Sequence, residues 1–180
     1  MEDICTVYWP KSKEDVIIPT KRAEDAGFDI YANFDTDYVM LKPHETKKIS
    51  TGLYGATDPD HEFILKERGS TGTIGLAQRS GVMDSGYRGE WFIPITNTSH
   101  DTTIFIVKKE FLDKNATEAL KFLRQVAPKD TDVKIYPYEK AICQAIPIFK
   151  PTVIYQELDL EDFKNIPSER GDGALGSSGK

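Results

Sequence analysis

One short stretch of the chain places a carboxylate and an aromatic ring where both could act on a small molecule. It runs from Gly81 to Glu90, and within it Asp84 and Tyr87 stand on either side of a Ser-Gly pair. Apolar residues before such a turn and a ring after it predict a β-hairpin that presents both side chains at one tip. A carboxylate beside a flat ring could hold a ligand and act on it, although the same residues also form ordinary surface turns.

Polar residues elsewhere suit a phosphorylated ligand. Arg68 is followed by Gly69 and Ser70, small residues that let a phosphate approach the backbone, although an arginine in a turn is often only a solvated charge. Gln144 interrupts an apolar strand, where its amide needs a protein partner or a ligand. The segment 168–180 is rich in Gly and Ser and predicts a mobile tail, which could close over a bound polyphosphate.

The composition predicts one soluble domain. The chain has 180 residues, of which 39% are hydrophobic, enough for one core. A formal net charge of −6 argues against a nucleic acid polymer as partner. Cys5 and Cys143 lie far apart, and the histidines stand singly in turns, so the spacing does not favour a zinc site. Without a signal peptide or a membrane-spanning apolar run, we expect a cytoplasmic protein that contacts no membrane.

Short runs of β-branched and aromatic residues, separated by turn residues, continue along most of the chain. Their spacing predicts an all-β barrel or sandwich and not a parallel α/β sheet. The predicted strands lie at 28–32, 38–41, 46–53, 62–66, 90–96, 103–107, 133–136, 141–149 and 153–158, with a strand, turn and strand within 4–18.

One segment has helical periodicity. From Asp113 to Ala127 apolar residues recur at helical spacing, and Asp113 or Asn115 could serve as the N-cap. We predict a helix of about three turns, close to the mean length in globular proteins.

These pieces, in this order, resemble the five motifs of the trimeric dUTP pyrophosphatases. The resemblance covers nearly the whole chain and implies a mainly β fold, a jelly-roll-like distorted β-barrel subunit of a homotrimer with one short inserted helix. It implies one domain over 1–165, a helical insert at about 107–136, and a flexible C-terminal tail over 166–180 that closes an active site between subunits. The matching stretches are 23–30, 68–70, 81–89, Gln144 and 170–179.

The family reaction is the magnesium-dependent hydrolysis of dUTP to dUMP and pyrophosphate. By resemblance, Asp84 activates a water for in-line attack on the α-phosphorus, and Tyr87 packs under the deoxyribose. The hairpin backbone, including Gly81 and Met83, would meet the uracil edge. Asp29 matches the acid that reaches Mg²⁺ through a water.

The resemblance assigns the remaining site positions to substrate binding. Two of them depart from the family pattern. Gly69 stands where a serine is usual, so either Ser70 or Thr71 replaces it or one hydrogen bond to the phosphates is absent. Leu175 stands where a phenylalanine stacks on uracil, a contact of about 1–3 kcal/mol, so we expect weaker tail ordering or a compensating ring such as Trp91. The assigned positions are Arg68, Gly69, Ser70, Gln78, Gln144, Arg170, Leu175, Gly176, Ser177 and Ser178.

Two other functions stay open. The related dCTP deaminases need a glutamate ten residues beyond the hairpin aspartate, where this chain has Pro94. Some bacteriophage members carry an insertion near 107–136, which in some of them contacts a protein partner. The chain could therefore be a nucleotide-bound regulatory module from a phage or prophage, acting in the host cytoplasm, or the insert could simply pack on its own subunit.

Overall fold

Short strands account for most of the regular structure of this chain. The computed structural model describes residues 4–169 and residue 171. They fall into two compact units, which divide between Lys150 and Pro151. The strands are β1 (Val7–Tyr8), β2 (Phe28–Ile30), β3 (Tyr38–Leu41), β4 (Thr46–Ser50), β5 (Ala56–Thr57), β6 (His61–Lys66), β7 (Leu76–Gln78), β8 (Val82–Met83), β9 (Phe92–Asn97), β10 (Thr102–Val107), β11 (Asp132–Pro137) and β12 (Cys143–Phe149). The helices are α1 (Gly69–Gly72), α2 (Lys109–Lys114), α3 (Ala116–Val126) and α4 (Leu160–Asn165), the last in the second unit.

The strands of the first unit form four sheets, with the orders β1-β5, β2-β12-β6-β8, β4-β9-β7 and β11-β10-β3. Every pairing between these strands is antiparallel except that of β10 with β11. Most neighbours in a sheet are distant in sequence, as β12 and β6 are, which is typical of Greek-key and jelly-roll connections. The predicted mainly β architecture is therefore present.

Strand β6 shows why these segments form strands. Its side chains alternate, with Phe63 and Leu65 buried and Ile64 half-buried, as the period of two requires. Phe63 stacks on Trp9 with 5.1 Å between ring centroids, and Trp91 meets both rings edge to face. This aromatic group fills the centre of the main core.

Strand β10 is buried at all six positions because it has a core on each face. Ile104 and Ile106 belong to the main core, whereas Phe105 packs in a second core with Leu123 of α3. The second core places α3 against the β11-β10-β3 sheet. A strand covered on both faces reads as a continuous apolar run, as β10 does.

The insert differs from its sequence prediction in two respects. It contains two helices, α2 and α3, where one was predicted, and they form the crossover between the parallel strands β10 and β11. Of the two predicted caps, Asn115 is the one in use, since its Oδ1 accepts a hydrogen bond from the Glu118 N–H at 3.2 Å. Parallel neighbours need such a crossover because the second strand must start again at the same end.

Three further local predictions are wrong among the described residues. Val16 to Ile18 form no strand, and 153–158 has no ladder partner. The hairpin is also absent, because β8 pairs with β6 and β9 pairs with β4 and β7. The segment from Asp84 to Glu90 is instead a loop that connects two sheets, and we call it the Asp84 loop.

Within residues 4–169, no helix is both long enough and apolar enough to span a bilayer.

Candidate functional site

Neighbouring strands bring three of the predicted site residues together. In the register of the sheet, Gln144 of β12 lies opposite Asp29 of β2 on one side and Lys66 of β6 on the other. Arg68 lies two residues after the end of β6 and is the N-cap of α1. A polar cleft of about 430 Å³ opens at this point, lined by Thr20, Arg22, Glu24, Asp25, Ala26, Gly27, Asp29, Arg68, Gly69 and Gln144.

The Arg68 guanidinium and the Asp29 carboxylate form a two-pronged ion pair in this polar cleft. Arg68 Nε lies 2.8 Å from Asp29 Oδ1, and Arg68 NH2 donates to Asp29 Oδ2 at 3.0 Å. Both side chains are about one third exposed, so a ligand can reach them. Planar forks of this kind match carboxylate and phosphate oxygens equally well, and the pair holds Arg68 in position for an anion.

A single helical turn, α1, presents the small residues after Arg68. The hydroxyl of Thr71 accepts from the Arg68 N–H at 3.1 Å and donates to the Arg68 carbonyl at 3.0 Å. Thr71 is 1% exposed and so is not available to a ligand. Ser70 is exposed, with its Oγ 3.4 Å from Arg68 NH1, and it is the hydroxyl that can replace the serine absent at Gly69.

The nitrogen of the Gln144 side-chain amide is held by a hydrogen bond to the backbone. Its Nε2 donates to the Glu67 carbonyl at 3.1 Å, which fixes the side chain against the end of β6. Its place in the lining of the polar cleft explains why a polar residue interrupts this apolar strand.

Sequence reasoning missed a second ion pair in the polar cleft. Arg22 donates through Nε to Asp25 Oδ2 and through NH2 to Asp25 Oδ1, each at 2.9 Å. These hydrogen bonds from Arg22 hold the pKa of Asp25 below its ordinary value. The spacing of an arginine and an aspartate three residues apart was the available signal.

The Asp84 loop presents Asp84 and Tyr87 to solvent. The Tyr87 N–H donates to the Asp84 carbonyl at 3.0 Å, which closes the predicted turn. Among the described residues the Asp84 carboxylate has no hydrogen bond or ion pair, so it is open to a water or a ligand. The Tyr87 ring borders a separate aromatic pocket of about 260 Å³, lined by Tyr8, Pro10, Tyr54, Gly55, Ala56, Tyr87 and Arg88.

Glu90 anchors the Asp84 loop at its far end. Its Oε1 accepts hydrogen bonds from the Gly52 N–H at 2.9 Å and from the Ser50 hydroxyl. The Glu90 carbonyl in turn accepts from the Tyr87 hydroxyl at 3.1 Å, which orients the ring. Sequence reasoning gave Glu90 no role, because its partners are about forty residues away in the chain.

Two predicted site residues near the Asp84 loop make hydrogen bonds with the backbone of neighbouring strands. Gln78 is buried, donates from Nε2 to the Leu65 carbonyl at 2.7 Å and accepts at Oε1 from the Ser80 N–H at 2.9 Å. The Gly81 carbonyl accepts from the Leu65 N–H at 2.7 Å, and its φ of 78° is a conformation that favours glycine. Gln78 therefore positions the start of β8, and its two polar ends are already in use.

The polar cleft and the Asp84 loop lie toward opposite ends of β6. Met83 pairs with Phe63 near the start of β6, so Asp84 continues beyond Phe63 toward Glu62. Arg68 follows the other end of the strand, after Lys66. From Glu62 to Lys66 is about 13 Å of strand at 3.3 Å per residue. No residue of the Asp84 loop lines the polar cleft, so one chain does not bring Asp84 to Arg68.

Trp91 cannot be the ring that compensates for Leu175. It is fully buried in the main core between Trp9 and Phe63, so that expectation is wrong. The predicted tail positions lie outside the described residues, namely Arg170, Leu175, Gly176, Ser177 and Ser178.

Comparison with known proteins agrees with the resemblance. The dUTPase family model matches residues 13–111. A deoxyuridine 5'-triphosphate nucleotidohydrolase from Nautilia profundicola is 27% identical over 174 residues, which cover 94% of this chain and 96% of that protein.

Solved structures share the fold. A Staphylococcus bacteriophage 80alpha dUTPase solved with dUPNHPP has a TM-score of 0.68 at 20% identity, covering 97% of this chain and 99% of that chain; its description states that phage dUTPases control transfer of virulence genes. A mutant dUTPase from phage phi11 of S. aureus, described as revealing the coordination of a structural Mg(II) ion, has a TM-score of 0.59 at 16% identity, covering 86% of this chain and 97% of that chain. The predicted jelly-roll-like fold class is confirmed.

Proposed function

Because the chain belongs to the dUTPase family, we propose that it hydrolyses dUTP to dUMP and pyrophosphate. One observation carries the proposal beyond family membership, namely that adjacent strands assemble Asp29, Arg68 and Gln144 in one polar cleft. A cleft with a fixed guanidinium, an amide and carboxylates suits a polyphosphate with its metal ion.

We propose that each active site is shared between two chains of a homotrimer. The separation of Asp84 from Arg68 along β6 supports this, because a nucleotide held in one polar cleft is out of reach of the same chain's Asp84. A neighbouring chain would supply its Asp84 and Tyr87 to that cleft. Closed cyclic assemblies repeat such a contact at every interface.

Asp84 would act as the general base. Its exposed carboxylate can accept a proton from a water as the water oxygen forms a bond to the α-phosphorus. The bond from that phosphorus to the bridging oxygen breaks, and its electron pair leaves with pyrophosphate. Arg68 and Gln144 would hold the phosphate oxygens in line and offset their charge.

The polar cleft suits Mg²⁺, because three of its lining side chains, Glu24, Asp25 and Asp29, carry hard carboxylate oxygens. Asp29 would reach the ion through a water while keeping its bonds to Arg68. When bound, Mg²⁺ would orient the phosphates and offset their negative charge.

Selectivity for deoxyuridine would come from the Asp84 loop. The Tyr87 ring, oriented by its bond to Glu90, would pack against the sugar and leave no room for a 2′-hydroxyl. Backbone groups at Gly81 and Met83 would pair with the uracil edge, and a close fit there would exclude the thymine methyl group. Arg170, Leu175, Gly176, Ser177 and Ser178 would close the site from the C-terminal tail over 166–180. We expect this activity in the cytoplasm, and in the host cytoplasm if a phage encodes the chain.

The assay that tests the function measures pyrophosphate release from dUTP, dCTP, dTTP and UTP with Mg²⁺. We expect release from dUTP alone, and a loss of about 10²–10⁴-fold in kcat in Asp84→Asn, which keeps the shape of the side chain but removes the base. Pyrophosphate release from dCTP but not from dUTP would contradict this assignment, whereas ammonia released from dCTP would support the deaminase-related alternative. Equal rates for Asp84→Asn and the unchanged protein would remove Asp84 from the mechanism.

A second function, the binding of a protein partner through the insert, is favoured by one observation. Helix α3 buries Leu123 against the sheet, yet Leu120 is 44% and Phe122 is 42% exposed on the two flanks of the helix beside it. We propose that this exposed part of α3 contacts the partner. Replacing both Leu120 and Phe122 with lysine should abolish partner capture while dUTP turnover is kept, whereas unchanged capture would exclude this face.

A further inference from the structure

Three side chains that could bind a metal ion meet at a place separate from the polar cleft. Cys5, Asp58 and His61 each offer a donor atom, and these atoms lie within 4.8 Å of one another. His61 Nδ1 is 2.7 Å from Asp58 Oδ1. His61 is buried, and the other two side chains are half-buried. The spacing of the residues in sequence does not reveal this group, which we call the Cys5 cluster.

The backbone around the Cys5 cluster is held firmly. The Thr6 N–H donates to Asp58 Oδ2 at 2.7 Å, and the Asp58 N–H donates to the Thr6 carbonyl at 3.1 Å. The Asp60 N–H donates to Asp58 Oδ1 at 3.1 Å, and the His61 N–H donates to the Asp58 carbonyl at 3.2 Å. These bonds fix the Asp58 carboxylate and the backbone beside Cys5 and His61 before any ion arrives.

We propose that the Cys5 cluster binds a divalent transition metal of the zinc class, with the Cys5 thiolate, an Asp58 oxygen and a ring nitrogen of His61 as ligands. Sulfur, imidazole nitrogen and carboxylate oxygen are the donors that Zn²⁺ takes, and three protein ligands leave one position for a water. The same set is a poor match for Mg²⁺, which prefers oxygen ligands alone. This site is therefore distinct from the proposed magnesium site at Asp29.

A bound ion would fasten the N-terminal strand to the body of the fold. Cys5 precedes β1, whereas Asp58 and His61 join β5 to β6, so the ion would cross-link two segments about fifty residues apart. Strand β1 is two residues long, and among the described strands it pairs only with β5. Its Tyr8 lines the aromatic pocket together with Tyr87. Metal binding should therefore stabilise the side of the aromatic pocket that Tyr8 forms.

The test uses the untagged full chain, first stripped of metal with a chelator and then titrated with Co²⁺. We expect one Co²⁺ per chain, with the thiolate-to-cobalt absorption and the strong visible bands of a tetrahedral site, and displacement of Co²⁺ by Zn²⁺. Cys5→Ser should lose the thiolate band and bind at least about 100-fold more weakly, since even loss of an outer partner costs 10–100-fold. Cys143→Ala is the matched control, because Cys143 is buried and burial raises the pKa of its thiol.

Thermal unfolding supplies a second readout. Zn²⁺ should raise the Tm of the unchanged chain and of Cys143→Ala but not that of Cys5→Ser, and Mg²⁺ at the same concentration should not reproduce the effect. Two results would overturn the proposal: the weak spectrum of octahedral Co²⁺ throughout the titration, or equal binding by Cys5→Ser. In either case the Cys5 cluster is a hydrogen-bonded turn and nothing more.

Discussion

The Asp29 carboxylate and the Arg68 guanidinium offset one another's charge before any nucleotide binds. Being one third exposed, this pair contributes only about 0.5 kcal/mol to stability, and its main effect is on orientation. Arg68→Lys keeps the charge but cannot make two parallel hydrogen bonds. We expect it to raise the KM for dUTP about tenfold while leaving the Tm within a degree or two, measured by steady-state kinetics and thermal unfolding. A normal KM would show that the fork geometry is unimportant.

Gly69 departs from the family pattern, and the structure does not require a glycine at this position. A Cβ built at this position meets no atom of the described residues within 4 Å, and its φ is not positive. Gly69→Ser should therefore fold without strain and lower the KM for dUTP severalfold by adding a hydroxyl beside Arg68. Gly69→Ala is the control, since it shares the gain in chain stiffness but not the hydroxyl. If both variants lower the KM equally, the hydroxyl is not the cause.

We expect Glu90 to contribute both to the stability of the fold and to kcat, although it lies at the end of a loop. Glu90→Ala leaves the Gly52 N–H and the Ser50 hydroxyl without their acceptor, at a cost of about 1–3 kcal/mol in the free energy of unfolding. It also loosens the segment that orients Tyr87, so kcat for dUTP should fall. Glu90→Gln keeps an acceptor oxygen and should lose about half as much. A denaturant titration of both variants, alongside kinetics, separates stability from positioning; unchanged values for Glu90→Ala would contradict the anchor.

Residue type indicated Arg68 and Gln144 for a phosphorylated ligand, and the resemblance to the family motifs added Asp29 to the same site. The partners of Glu90 could not be predicted, because contacts across forty residues depend on sheet pairing. Thr71 was left open as a replacement for the missing serine, and only its burial excludes it.

The two inserted helices, α2 and α3, form the connection between the parallel strands β10 and β11. Deleting them must still leave a connection from the end of β10 to the start of β11, about 17 Å back along the five residue steps from Val107 to Thr102. A deletion variant therefore needs a linker of at least about five residues, or the parallel pair breaks. This requirement governs any experiment that removes the insert to test partner binding.

The role of Asn115 as the N-cap of α3 can be tested by substitution. Asn115→Ala removes the acceptor for the Glu118 N–H and should cost about 1 kcal/mol, with dUTP turnover unchanged because the helix lies outside the polar cleft. Asn115→Asp keeps the acceptor and should retain the stability of the unchanged chain. Thermal unfolding of the three proteins measures this, and a drop for Asn115→Asp equal to that for Asn115→Ala would reject the capping role.

Element types were predictable wherever periodicity was long, as in β6, β10 and α3. The hairpin at Asp84 was not, because a turn signal indicates that the chain reverses but not which strand it pairs with afterwards. Here Val82 and Met83 pair with β6, so their partner lies about twenty residues earlier.

For the whole molecule, the central claim is that the two halves of the active site come from different chains. The order of the motifs in the sequence assigned Arg68 and Asp84 to one active site. It could not show that the polar cleft and the Asp84 loop lie at opposite ends of β6. If the proposed shared site is correct, the contact between chains is as important to catalysis as the fold of each chain.

The most direct test mixes two inactive variants. Arg68→Ala has lost its phosphate grip, and Asp84→Asn has lost its base, but a site between them pairs an intact Arg68 with an intact Asp84. Refolding the two together in equal amounts should restore about a quarter of the activity of the unchanged protein, as random assembly of a closed trimer predicts. Each variant refolded alone should stay inactive. A mixture that forms mixed trimers yet shows no dUTP hydrolysis would contradict the shared site.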